Sequence, residues 1–105
     1  MRLLLTALFV ATLSTSALCY TDADIDKATT YAAILGRAAA CGVATENDSR
    51  RVGAWLDRTF SGEMRKVQLL IFMEGMKMNA KNQAEGKTGD TCEGVKRAYQ
   101  GINWP

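Results

Sequence analysis

Apolar and polar residues recur with a helical period along most of this chain, and the pattern predicts four helices with short polar breaks between them. A threonine or serine with an acidic residue close behind it stands at each break, which is typical of a helix N-terminus. These capping patterns are Thr21 with Asp24, Thr45 with Asp48, Ser61 with Glu63 and the stretch Asp90-Thr91-Cys92-Glu93. We therefore predict an all-α fold, a small four-helix bundle with helices over about residues 22–41, 46–60, 62–85 and 91–102.

The first predicted helix carries a small side chain at every fourth position. This row consists of Ala28, Ala32, Gly36 and Ala40. Residues four apart share one face of a helix, so the row lets another helix approach closely. Similar rows pair helices inside membranes, but charged residues at Asp24, Asp26, Lys27 and Arg37 would be costly there. We therefore predict close packing within a soluble bundle.

The third predicted helix is the longest and has a broad apolar side. One stripe consists of Met64, Val67, Ile71, Gly75 and Met78, and it is widened by Leu70, Phe72, Met73 and Met76. A face of this width suits the centre of a bundle, so we expect these side chains to form the core. The polar turns beyond Met78 are expected to be exposed.

The first 19 residues have the layout of a secretory signal peptide. Arg2 precedes an apolar run over residues 3–11, which is shorter than the roughly 20 apolar residues that span a membrane. Cleavage after Cys19 fits the small-residue rule, and cleavage after Ser16 is an alternative. Retention of the leader, or a lipid on Cys19, would instead tether the chain to a membrane. We expect a signal peptide over 1–19, a single helical domain over 20–105 and no stable membrane span after cleavage.

Removal of the leader after Cys19 leaves two cysteines, Cys41 and Cys92. An even number of cysteines in an exported chain favours a disulfide. The bond would join the end of the first helix to the start of the last and close a loop of about 50 residues, which is worth roughly 4 kcal/mol on the chain-entropy estimate. We expect the protein to be periplasmic or secreted.

The composition argues against several classes of activity. The chain has no histidine, no Cys-x-x-Cys motif and no glycine-rich phosphate loop, so we expect neither an enzyme nor a bound cofactor. It has 13 Lys and Arg against 11 Asp and Glu, and loss of Arg2 leaves a net charge of about +1. A nucleic-acid-binding domain would be far more basic.

Two features of the third helix are candidate chemical sites, a carboxylate and a group of methionines. Glu74 lies in an apolar run, but we expect it to be exposed and paired with Lys77 rather than buried and catalytic. Thioethers in an oxidising compartment can bind Cu(I), and Met73, Met76 and Met78 are close in sequence. Methionine more commonly fills gaps in a core, which is the role that we expect for these three.

The sequence therefore predicts a small exported protein that binds another protein of the cell envelope, as an inhibitor, immunity factor, chaperone or secretion-system accessory. The candidate contact residues are Arg50, Arg51, Arg58 and Trp104, because arginine and tryptophan are enriched where interfaces gain most of their energy. Each has a structural alternative, with the arginines in solvent and Trp104 tucked against the bundle. The alternative function is a periplasmic carrier of copper or a small ligand through the methionine-rich third helix.

Overall fold

The computed structural model describes residues 20–105, which fold into four helices and contain no strand. The helices are α1 (Asp22–Ala40), α2 (Glu46–Thr59), α3 (Gly62–Ala84) and α4 (Cys92–Gly101). Each helix ends within one residue of the predicted bounds, so the prediction of an all-α four-helix protein is confirmed. The predicted signal peptide, residues 1–19, lies outside the described residues.

Two of the four predicted N-caps are formed. Thr21 accepts a hydrogen bond from the Asp24 backbone N–H, and the Asp24 carboxylate accepts one from the Thr21 N–H, which completes a capping box. The Thr91 hydroxyl accepts from the Gly94 N–H at the start of α4. Thr45 and Ser61 make no side-chain cap, so those two predictions are wrong. The backbone of Thr45 has ψ near 0° rather than the extended conformation that an N-cap normally adopts.

The centre of the domain is α1, which contacts each of the other three helices. It also supplies half of the buried apolar side chains among residues 20–105, namely Ala28, Tyr31, Ala32, Leu35 and Ala38. The expectation that the third helix forms the centre is therefore wrong. Small side chains on several sides of α1 allow its neighbours to surround it.

The closest approach of two helices is that of α1 to α3. A Cβ atom added to Gly36 would lie 2.3 Å from the backbone oxygen of Met76, and one added to Gly75 would lie 3.3 Å from the Ala32 Cβ. Only a residue without a side chain fits at Gly36. The prediction that the small-residue row of α1 supports close helix packing is confirmed.

The side of α3 that faces α1 contains only part of the predicted apolar face. It buries Gln68, Phe72 and Gln83, and Met64 and Met76 pack against the core beside them. Because α3 carries apolar residues on both sides, its pattern does not decide which side is inside. The flat row on α1 accepts the side that contains Phe72 and leaves much of the predicted stripe in solvent.

The last turns of α3, which were predicted to be exposed, are partly anchored to the loop that follows them. Buried Gln83 donates a hydrogen bond to the backbone oxygen of Asp90 and accepts one from the Thr88 hydroxyl. Arg37 of α1 donates to the Asn79 side chain at 3.2 Å and forms an ion pair with Asp90 at 2.6 Å. This network fixes the loop before α4 against α1.

The predicted disulfide is present. Cys41 caps the C-terminal end of α1, Cys92 is the first residue of α4, and their Cα atoms lie 5.4 Å apart. The bond therefore joins the central helix to the shortest one at the same end as the Arg37–Asp90 ion pair. With only ten residues, α4 is too short to be stable alone, so it depends on this attachment and on its packing.

Replacing both cysteines, C41A/C92A, is expected to lower the free energy of unfolding by about 4 kcal/mol, because the unfolded chain regains the entropy that the bond removes. Chemical denaturation followed by circular dichroism measures the loss. Reduction of the wild-type protein should reproduce it, and reductant should leave the stability of the double variant unchanged. A double variant as stable as the oxidised protein would contradict this.

The substitution G36A is expected to destabilise the fold by about 1–3 kcal/mol, because the added methyl group forces α1 and α3 apart. Gly53 provides a matched control, since it lies within helix α2 and has nothing within 4 Å of an added Cβ. There, G53A should raise stability by about 0.5–1 kcal/mol through helix propensity alone. Effects of the same sign at both positions, in thermal unfolding, would show that the close approach is not limiting.

Candidate functional site

Trp104, a predicted contact residue, lies in an aromatic cluster within the chain. Its ring centroid is 5.3 Å from that of Tyr31 and 5.2 Å from that of Tyr99, and Tyr31 meets Trp55 edge to face. The Tyr31 hydroxyl donates a hydrogen bond to the backbone oxygen of Asn103. The structural alternative, a tucked tryptophan, describes this arrangement, and Trp104 remains half-buried.

Arg51, a second predicted contact residue, also contacts the C-terminal residues. Its Nε donates to the backbone oxygen of Pro105 at 2.8 Å and a terminal nitrogen donates to that of Trp104 at 3.4 Å. Asp48, 3.6 Å away, balances its charge and accepts a hydrogen bond from the Tyr99 hydroxyl. Arg51 therefore helps to hold the segment after α4 against α2.

The other two arginines of the predicted basic patch are exposed on α2. Arg50 bonds the Asn47 side chain of its own helix, and Arg58 has no ion pair with neighbouring Asp57, which pairs instead with Arg65 of α3 at 2.9 Å. The structure therefore divides the patch, with Arg51 engaged within the chain and two arginines in solvent. A role of any of the three in partner binding stays a prediction.

Most of the candidate chemical residues on α3 lie in solvent. Glu74 is exposed and pairs with Lys77 at 3.5 Å, as expected. Met76 packs against the core, whereas Met73 and Met78 are exposed, so core filling is right for one methionine and wrong for two. Among residues 20–105, no three His, Cys, Asp or Glu side chains are grouped to hold a metal ion.

A small cavity lies between α1 and α3, lined on the α3 side by Gln68, Ile71, Phe72 and Asn79. Its volume is about 70 Å³, enough for about two water molecules but well below the several hundred Å³ of a typical ligand pocket. This cavity is therefore too small to hold an organic ligand of ordinary size.

The most distinctive surface of the domain is the side of α3 that faces away from α1. We call it the α3 outer face and define it as Val67, Leu70, Ile71, Met73 and Met78. Ile71 lies at the edge of this face, where it also lines the small cavity beside α1. These side chains are between 45% and 64% exposed, and Leu69 at 37% borders them. Every large exposed apolar side chain among residues 20–105 belongs to this one helix. Exposed apolar residues concentrated in this way are typical of interaction surfaces in general, whereas scattered ones would need no explanation.

The sequence pattern predicted that these side chains would lie in the core, but the structure places them in solvent. The signal that could have located the outer face is an excess of apolar residues: α3 has more of them than one packing face requires. Only the position of α1 shows which half is surplus.

None of the helices within residues 20–105 is both long and apolar enough to span a bilayer.

Comparison with known proteins identifies no relative. No family model matches the chain, and no curated protein or solved structure is significantly similar to it. The α3 outer face is therefore the main structural indication of function.

The packing of Tyr99 against Trp104 can be tested through the effect of pH on stability. Burial, reinforced by the hydrogen bond to Asp48 and the charge of that carboxylate, raises the pKa of Tyr99 from 10 to about 12. The folded state then holds the proton more tightly than the unfolded state, so the contribution of Tyr99 is full below about pH 10 and is lost as the pH rises through about 12.

We expect the free energy of unfolding to fall between about pH 10 and pH 12, and Y99F to make this fall shallower. Burial also raises the pKa of Tyr31, so some slope should remain in the variant. Denaturant titrations at a series of alkaline pH values give the slopes, and tyrosinate absorbance gives the pKa. If the unfolding free energy of Y99F changed with pH as steeply as that of the wild type, Tyr99 would not be the group responsible for the fall.

Proposed function

We propose that this protein is a non-enzymatic binding protein of an oxidising compartment, periplasmic or secreted, that acts by contacting another protein through the α3 outer face. The observation that supports the proposal is the exposure of Leu70, Ile71 and their neighbours on one helix of a small domain. Contact with a protein would remove this apolar surface from water, which is the main favourable contribution to most protein association.

The rest of the domain is organised to hold that face steady. The opposite side of α3 is fixed to α1 by the close approach at Gly36, and its end is fixed by the hydrogen bonds of Gln83. A rigid helix that presents apolar anchors loses little conformational entropy on binding. The Cys41–Cys92 bond suits a compartment in which thiols are oxidised.

The charged residues of the outer face favour a protein over a purely apolar ligand. Glu63, Lys66, Glu74 and Lys77 alternate in sign beside the apolar residues, and all four side chains are at least 63% exposed. A surface that combines apolar area with charged groups of both signs is better suited to a protein than to a purely apolar ligand. Arg50 and Arg58 on α2 provide the second surface that the sequence predicted, and the two surfaces can be tested against each other.

A photo-crosslinking amino acid introduced at Leu70, at Arg58 or at Gln100, each exposed on a different helix, tests the proposal in living cells. We expect discrete adducts from position 70 and none from position 100, the control on α4. The masses of the adducts, determined after purification, identify what is bound.

Adducts from position 58 alone would move the binding surface to α2 and contradict the role of the α3 outer face. The absence of protein adducts from both positions would contradict a protein-binding function altogether.

A further inference from the structure

The charges along the α3 outer face are arranged with opposite sign about one residue, Leu70. Lys66 lies four residues before it and Glu74 four residues after it, while Glu63 lies seven before and Lys77 seven after. Residues four and seven positions apart share a face of a helix, so these side chains form one stripe centred on Leu70. At each distance from the centre, the residue on one side is acidic and the residue on the other is basic.

The apolar side chains within three residues of Leu70 follow the same symmetry. Val67 lies three residues before Leu70 and Met73 three residues after it, and all three are at least 45% exposed. Leu69 and Ile71, both exposed, border Leu70 on its two sides. The apolar side chains therefore extend equally far on both sides of Leu70 along the helix. Each end of the stripe carries one acidic and one basic side chain, and a half turn about Leu70 places each acidic side chain opposite a basic one.

A surface with this pattern is complementary to itself when it is rotated by a half turn. If two α3 helices lie antiparallel with the rotation axis at Leu70, the residue n positions after Leu70 lies opposite the residue n positions before it in the other copy. Glu63 then meets Lys77 of the second copy, and Lys66 meets Glu74 of the second copy. The symmetry repeats both contacts, which gives four intermolecular ion pairs around a Leu70–Leu70 contact.

The opposite orientation lacks this complementarity. In a parallel pair in register, each residue meets its own equivalent, so Glu63, Lys66, Glu74 and Lys77 would each face a like charge. Like charges on facing helices are unfavourable, and the pattern therefore selects the antiparallel orientation.

We infer that the α3 outer face binds a second copy of this chain, with the two α3 helices antiparallel and the twofold axis at Leu70. This inference rests on the proposed function, in that it takes the outer face as the binding surface and names its occupant. The side chains are free to form these contacts. They are 63–88% exposed, and their present partners lie in the same helix, Lys66 with Glu63 at 3.6 Å and Lys77 with Glu74 at 3.5 Å.

The contact is short, because the stripe from Glu63 to Lys77 is about 21 Å long at 1.5 Å per residue. A helix pair of this length lies at the lower end of protein interfaces in buried area. We therefore expect a reversible dimer with a dissociation constant in the micromolar range.

Two variants that exchange charges within one half of the stripe test the register. E63K/K66E exchanges the first two charges, and E74K/K77E exchanges the last two. Each retains the net charge and an oppositely charged pair within its own helix, so folding should be unaffected, as thermal unfolding would verify. In the antiparallel arrangement, however, either variant places like charges at all four ion-pair positions of its own dimer.

A mixture of the two variants restores opposite charges at all four positions. In sedimentation velocity on protein expressed from the full sequence, we expect the wild-type chain to dimerise with rising concentration. Each variant alone should dimerise at least about tenfold more weakly, and an equimolar mixture should recover wild-type affinity within about threefold. L70K, which places two charges at the axis, should be monomeric at every concentration tested.

A wild-type chain that stays monomeric would overturn the inference, as would variants that dimerise alone like the wild type or a mixture that fails to recover. The crosslinking from position 70 separates this failure from that of the proposed function. Adducts to a different protein from a monomeric chain would uphold the proposed function and overturn self-association. A monomeric chain without adducts would overturn both.

Discussion

The structure depends on how closely α1 and α3 approach each other. Gly36 has no side chain to keep the helices apart, and the backbone of α3 at Met76 occupies the space where a Cβ would lie. This approach lets a chain with few large core residues form a close-packed interior, in which Leu35, Val52, Leu56 and Phe60 are almost fully buried. It also determines which side of α3 is inside, and hence which apolar residues remain outside.

Much of this fold could be predicted from local features of the sequence. The helix bounds follow from turn residues and from the change between apolar and polar positions. The pairing of Cys41 with Cys92 follows from the expectation that Cys19 is removed with a signal peptide. The row of small residues on α1 indicated close packing correctly. These features are local, or they depend on the number of cysteines, so no knowledge of the tertiary arrangement was needed.

Most of the features that escaped prediction depend on contacts between residues far apart in sequence. Arg51 was a candidate for partner binding, but the sequence does not show that its guanidinium contacts Pro105, 54 residues away. The inner and outer sides of α3 are both apolar, so periodicity could not separate them. The failed cap at Thr45 has a different cause, because the required backbone conformation is set by the turn between α1 and α2.

The central position of α1 has a consequence for how the domain opens. Because α1 touches all three other helices, it cannot leave without exposing most of the interior. The disulfide ties α4 to α1. When α1 departs, α3 loses its main packing surface and α2 loses one of the two helices that it packs against. No smaller group of helices therefore retains a core of its own, and the 86 residues from Tyr20 to Pro105 should fold and unfold as one cooperative unit.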